Sequence, residues 1–216
     1  MELKGTYIHR EIITETKNIF FTSDTHFGSE RALELSKRPF KSVEEMDEVM
    51  LKNINDICKA TDAAHLIHLG DFGNHEFVKR INVPVLLVIG NYELTEIENG
   101  FDGDYKEYRR YIMDQFGYAD VAYHIELEIE GHSHLWMAHD PMDCVKNRDN
   151  SRSYINTVDQ NGTFYLFGHI HGRQKVKPFG IDVGVDGNHF LPMPLDDVWF
   201  YQNAIMNHYD SSVWCR

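Results

Sequence analysis

Seven residues along the chain have side chains suited to divalent cations: Asp24, His26, Asp71, Asn91, His139, His169 and His171. Each follows a short apolar run that stops abruptly, in three instances at a glycine (Gly70, Gly90, Gly168). In Gly168-His169-Ile170-His171-Gly172 the two histidines stand two apart, so continued strand geometry would turn both imidazoles to one side as a metal clamp. Alone, such a pair also fits an ordinary surface, and Asp24-x-His26 alone also fits a capped turn. Collected, seven oxygen and nitrogen donors are too many for one ion and suit two, with a carboxylate such as Asp71 shared. Paired ions about 3.5–4 Å apart clamp the attacking and leaving oxygens of an in-line displacement. Carboxylate, amide and imidazole donors without thiolate point to manganese first, with iron, zinc or nickel as alternatives.

Strands and helices must bring these residues together. Residues 19–23, 64–69 and 85–89 are short, nearly continuous apolar runs, the signature of strands buried on both faces. Between the first two, Ser42-Val43-Glu44-Glu45 forms a capping box ahead of apolar positions Val43, Met46, Met50, Ile54 and Ile57 at helical spacing. A short helical stretch near His75 to Ile81 separates the second from the third. Strands alternating with helices predict parallel crossover units, whose sites lie beyond the carboxyl ends of the strands. Asp24, Asp71 and Asn91 fall there. His65 and His68, three apart in their strand, read as hydrogen-bonded structural histidines facing opposite sides.

Asp104 to Phe116 reads as a helix with Gly117 as its C-cap. From Val121 the pattern alternates, predicting a hairpin through residues 122–130 and 135–138 that ends at His139. Asp143 to Ser153 reads as a polar surface loop. Short strands are expected over 174–185 and a terminal helix from Asp196. Tyr7 to Ile13 alternates like an edge strand or a strand of a second sheet.

At 216 residues and 42% hydrophobic content, the expectation is one domain, 1–216, with a sizeable core. No apolar run approaches the ~20 residues of a membrane helix. The start, Met1-Glu2-Leu3-Lys4-Gly5, has no leader pattern, and Cys58, Cys144 and Cys215 are scattered, so a reducing cytoplasm is expected. A net charge of -13 disfavours a long nucleic-acid track. Bound cations would draw an anionic substrate in locally. Nothing in the sequence sets an oligomeric state.

In order, Asp24-x-His26, Gly70-Asp71, Gly90-Asn91, His139 and Gly168-His169-x-His171 resemble the motif set of the calcineurin-like metallophosphoesterases. Residues 21–28, with Arg38-Pro39-Phe40 and Glu45-Met46-Asp47, are similar to a branch of small bacterial and phage phosphoesterases. The resemblance implies an α/β fold of two mixed β-sheets packed as a sandwich with helices outside, four layers in all. It implies two divalent metal ions, one held by Asp24, His26, Asp71 and His171, the other by Asp71, Asn91, His139 and His169. The implied reaction is phosphoester hydrolysis by in-line attack of a hydroxide held between the metals.

The sequence departs from the family's pattern at two positions. Tyr92 stands where the family usually has a histidine that stabilises the reacting phosphoryl group or protonates the leaving oxygen. Ser29 stands where the small branch often has histidine. A phenol is a weaker acid than an imidazolium and carries no positive charge, so Tyr92, the candidate catalytic residue, is expected to bias the enzyme toward phosphodiesters. A small phosphoester, such as a nucleotide or cyclic nucleotide, is the expected substrate. A broad phosphomonoesterase and a non-catalytic metal-binding scaffold are the alternatives.

Overall fold

A computed structural model of the chain describes residues 7–13, 18–58, 64–147 and 162–208. Its elements run β1 (Ile8–Ile13), β2 (Ile19–Thr22), α1 (Glu30–Leu35), α2 (Val43–Ile57), β3 (His65–His68), β4 (Val85–Val88), α3 (Asn91–Gly100), α4 (Tyr105–Phe116) and β5 (Asp120–Ala122). They continue with β6 (His124–Ile129), β7 (His134–Met137), α5 (Pro141–Asn147), β8 (Thr163–Phe167), β9 (Val176–Lys177), β10 (Gly180–Asp182), β11 (Met193–Pro194) and α6 (Leu195–His208).

The strands form two mixed sheets. One has the order β11-β2-β3-β4-β5, with β2 to β5 parallel and β11 antiparallel to β2. The other has the order β1-β6-β7-β8-β10-β9, with the β6–β7 hairpin antiparallel, β7, β8 and β10 parallel, and β1 on the edge parallel to β6.

The apolar runs explain the layering. In β2, β3 and β4 successive side chains point to opposite faces, and both faces are covered. Phe21, Ile67, Leu86 and Val88 pack between the sheets with Leu127, Leu135, Met137 and Leu166. Leu66, Val85 and Leu87 face the other way, onto Met46, Met50 and Ile54 of α2 and Tyr105, Tyr108 and Ile112 of α4. On the far face of the second sheet, Trp136, Tyr165 and Phe167 pack with Cys144 of α5. Helix, sheet, sheet and helix are the four expected layers. Among the described residues no helix is long and apolar enough to cross a membrane.

Local signals set the helix ends. Ser42 Oγ caps α2 through Glu45 N at 3.2 Å, and Asp104 caps α4 through Lys106 N and Glu107 N. Gly117 closes α4 in the left-handed conformation at φ 83°. His75–Arg80 is a 3-10 helix. Two helices run where the pattern gave none. In α1 Ser29 is the N-cap, its Oγ accepting from Ala32 N at 3.2 Å, which gives that residue a local structural role. In α3 the helix begins at Asn91 itself. The expected surface loop at 143–153 is corrected in its first part: residues 143–147 belong to α5, with Asp140 Oδ1 accepting from Met142 N at its start. Residues 148–153 and Cys215 lie outside the described residues.

Candidate metal centre

The ends of β2 and β3 carry turns whose backbone is left-handed. Asp24, His26 and Asp71 have φ of 58°, 49° and 55°, and His169 and His171, beyond β8, have 71° and 50°. This region disfavours L-residues by roughly 1–2 kcal/mol each and persists where the surroundings over-determine it. Here backbone hydrogen bonds between turns do so. Asp24 N donates to Gly70 O at 3.0 Å, His26 N to Asp71 O at 3.0 Å and Phe27 N to Phe72 O at 2.9 Å.

Two glycines let the turns close. Gly70 has φ +90°, and a Cβ on it would stand 2.7 Å from Gly90 Cα and 2.8 Å from His139 Nδ1. A Cβ on Gly168 would overlap Ser23 Oγ. The abrupt glycine stops in the sequence are therefore requirements of close backbone approach.

All seven donor residues converge. The ligand atoms of Asp24, His26 and His171 lie within 4.8 Å of one another, as do those of Asp24, Asp71 and His139. Asn91 Oδ1 is 2.9 Å from both His139 Nε2 and His169 Nδ1, and those two nitrogens are 3.2 Å apart. The expectation that His169 and His171 continue strand geometry is not met, because β8 ends at Phe167 and both are in a turn. Their rings part accordingly: His169 joins His139 and Asn91, whereas His171 stacks on His26 with centroids 5.3 Å apart and planes at 6°. Tyr92 is 37% exposed, with its ring edge-on to His26 at 4.6 Å and its N–H donating to Asp71 Oδ1 at 2.9 Å.

The donor set fits cations. His139 Nδ1 faces the Leu69 carbonyl at 2.7 Å, an acceptor only, so Nδ1 keeps a proton and Nε2 is the nitrogen that would meet a cation. Three imidazole nitrogens then face carboxylate oxygens: His139 Nε2 and His26 Nε2 reach Asp71 Oδ2 at 3.5 and 3.6 Å, and His171 Nε2 reaches Asp24 Oδ1 at 3.9 Å. Those separations are long for hydrogen bonds, whereas two ligands each about 2.1 Å from one ion stand about 3–3.5 Å apart. The buried Nδ1 of His26 has no hydrogen-bond partner.

Electrostatics agree. Burial holds the His26 pKa down to about 4 against the pull of Asp71 and Asp24, leaving a neutral imidazole. Burial likewise opposes charge on His139, but Asp71, Asp24 and the Leu69 carbonyl outweigh it and lift its pKa to about 10. A field that holds a proton there would hold a metal cation as well. Burial pushes the Asp71 carboxyl up, yet the adjacent His139, through its proximity and charge, and the Tyr92 N–H bring it down to about 2.

Residues 18–180 match the family model described as the calcineurin-like phosphoesterase superfamily domain. The chain belongs to that superfamily. Metal-dependent phosphoester hydrolysis is the chemistry that membership and the clustered ligands indicate. This calcineurin-like chain is also similar to a protein of Methanocaldococcus jannaschii named as uncharacterized protein MJ1445, 26% identical over 129 residues that cover 55% of this chain and 70% of the relative. In fold it resembles the crystal structure of a protein of unknown function, AQ665, from Aquifex aeolicus. There the TM-score is 0.60 and the identity 19%, over 84% of this chain and 97% of the other.

Four further side chains frame this cluster of donors, none of which the motif spacing singled out for a role. Glu93, 1% exposed, accepts from Asp71 N, Phe72 N and Gly90 N at 2.9, 2.9 and 2.8 Å, tying two motif turns together. Asp182 accepts from Gly172 N and Gly184 N, and burial with the neighbouring Asp24 charge raises its pKa to about 6. Arg38 and Asp186 form a buried ion pair beside His171. The readable signal for Glu93 was a carboxylate three residues after a glycine that ends a strand. His68, fully buried, hydrogen-bonds Thr25 Oγ1 at 2.9 Å.

Proposed function

We propose that this chain is a phosphoesterase working with two divalent ions, and that it favours small phosphodiesters over phosphomonoesters. The observation that carries the reading is the set of imidazole nitrogens aimed at Asp71 and Asp24 at 3.5–3.9 Å, longer than a hydrogen bond and close to the spacing of two ligands that share a cation. One ion would be held by Asp24, His26, Asp71 and His171, the other by Asp71, Asn91, His139 and His169. Asp24 belongs to both clusters of ligand atoms, so it is a second carboxylate able to reach both ions. When bound, two such ions would supply an activated water and offset the charge of the phosphoryl group. Manganese is favoured over iron, zinc or nickel on a donor set of oxygen and imidazole. Cys58 supplies no thiolate, because burial pushes its thiol up to about 12.

The chain's own groups would do the rest. Asp71, with one oxygen fixed by Tyr92 N–H and the other toward His139 and His26, would be a ligand of both ions. Tyr92 presents an exposed phenol beside His26, where it can contact a substrate substituent but delivers a proton less readily than an imidazolium would. A diester brings less negative charge than a monoester and therefore loses less from the missing cation. The setting is a cytoplasmic one, with long nucleic acid disfavoured by the charge of -13.

The test compares hydrolysis of an aryl phosphodiester and the matching monoester by manganese-loaded protein, with Tyr92→His at equal metal content. The diester is expected to be faster in the wild type, with the ratio narrowing about tenfold or more in Tyr92→His. A wild-type preference for the monoester would overturn the diester reading. Metal content separates the parts: Asp71→Asn should weaken both equivalents, while replacement of His65 or His132 should leave both intact. Two full equivalents and normal turnover in Asp71→Asn would sink the shared-ligand assignment.

A further inference from the structure

His171 is gripped by residues that are not in the ligand set. Its Nδ1 lies 2.7 Å from Asp186 Oδ2 and 3.2 Å from Ser36 Oγ, the latter at the end of α1. Asp186 is in turn clamped by Arg38, whose Nε and Nη2 each donate to one of its oxygens at 2.9 Å. The same guanidinium reaches the left-handed turn, with Nη1 donating to Thr25 O at 2.8 Å and Nη2 to Asp24 O at 2.5 Å. Arg38 is 5% exposed. A planar, bidentate clamp leaves the Asp186 carboxylate no freedom to rotate. Because that carboxylate only accepts, the His171 proton is held on Nδ1 and the Nε2 lone pair points toward Asp24. The stacked His26 ring restrains the same imidazole from its face.

His139 on the other side of Asp71 has no part in this grip. Its Nδ1 is held by a backbone carbonyl, Leu69 O. The two halves of the site are therefore oriented by separate devices, one made of side chains and one of main chain.

We propose that Asp186, clamped by Arg38, is a positioning residue that fixes the tautomer and aim of His171 and so sets the cation affinity of the Asp24, His26 and His171 half alone. This rests on the two-ion reading above. Carboxylate partners of ligating histidines characteristically carry about 10–100-fold in metal affinity, through ring orientation and ligand basicity. Asp186→Asn keeps the volume but breaks the fork, since its amide NH2 must face Arg38 Nε in one orientation and both Arg38 Nη2 and the His171 N–H in the other.

The test is manganese titration by calorimetry into the metal-stripped full chain. The histidine tautomers of the zinc-loaded protein are read by nitrogen-15 NMR. The wild type should bind two equivalents with His171 protonated on Nδ1. Asp186→Asn should keep one equivalent at wild-type affinity, weaken the other about 10–100-fold and lose the uniform Nδ1–H signal of His171. Two equivalents at wild-type affinity with an unchanged tautomer would overturn the proposal while leaving the two-ion reading intact. A wild type that binds no divalent ion would overturn both. Should Asp186→Asn fail to fold, the wild-type spectrum decides, because a His171 protonated on Nε2 is incompatible with the proposal.

Discussion

Glu93 offers the sharpest test of how the motif turns are held. Its Oε2 accepts from Asp71 N at 2.9 Å and Gly90 N at 2.8 Å, and its Oε1 accepts from Phe72 N at 2.9 Å. Burial and the Asp71 charge push its carboxyl pKa up, so the three N–H donors must compensate a costly environment. Glu93→Gln preserves shape but places an NH2 against at least one N–H, leaving a buried donor unpaired at about 1–3 kcal/mol. The remaining bonds fall from charge-assisted to neutral, about 1 kcal/mol each, offset in part by relief of the buried charge. The net expectation is a loss of about 2–4 kcal/mol. With a urea slope of about 2–3 kcal/mol/M, the unfolding midpoint of metal-free protein should fall by about 1 M. Metal-free protein is required, because an ion binding only the native state would add its own stabilisation. A midpoint within about 0.2 M of wild type at equal slope would refute the account of Glu93 as the tie between the turns.

The Asp120 cluster and the Gly168 turn give two more outcomes. Asp120 of β5 pairs with His9 of β1 at 2.7 Å and Arg109 of α4 at 2.5 Å, and these partners outweigh burial to lower its pKa to about 2. Its folded value is depressed, so the stabilisation, about 2 kcal/mol, is present above the unfolded value near 3.8 and disappears as pH falls through 2. Asp120→Asn should therefore lose about 2 kcal/mol at neutral pH and match the wild type near pH 2; an equal gap at both, in urea melts, would contradict this. The same contact raises the His9 pKa above 6.5, adding stability that is full below that value and fades as pH rises through the folded one. Gly168→Ala should drive Ser23 and Asp24 aside and cut aryl diester turnover by about 100-fold or more, with manganese equivalents lost in a titration; full metal content and turnover would show that the close approach is not needed.

Much of the architecture was legible because the signals were local. The buried strands announced themselves as continuous apolar runs, and the helix expected over Asp104 to Phe116 starts one residue later, at Tyr105 behind its Asp104 cap, and ends as expected before the left-handed Gly117. The seven donors were found because each ends such a run. What escaped was either masked by a competing reading or carried by distant partners. Asn91 and Tyr92 read as chemistry, which hid the first turn of α3 and the buried apolar Ile97 behind it. Ser29 read as a motif position and turned out to cap a helix of six residues. The His169 and His171 geometry failed because a period of two applies only while the strand continues, and β8 stops before them. Arg38 and Asp186 are separated by 148 positions, and no pattern within a window joins them.

The same distant contacts explain why the ligands can occupy backbone conformations that their residue types avoid. Of the nine positive-φ residues other than glycine among those described, five are candidate ligands: Asp24, His26, Asp71, His169 and His171. Aspartate tolerates the left-handed region better than most side chains, but five such residues represent several kcal/mol of unfavourable backbone. Each is held from outside itself: Asp24 and His26 by carbonyls of the neighbouring turn, Asp71 by Glu93 through its N–H, His169 by Asp24 Oδ2, which accepts from its N–H at 2.9 Å, and His171 by Asp186 at its ring Nδ1. The left-handed turns reverse the chain at the strand end and set the ligand side chains facing one another across the junction of the two sheets. An extended backbone would carry the chain onward and spread the same donors apart. The strain is thus the geometric condition for assembling a cation site from separate strand ends, and the buried Arg38 and Glu93 networks are what make that condition stable.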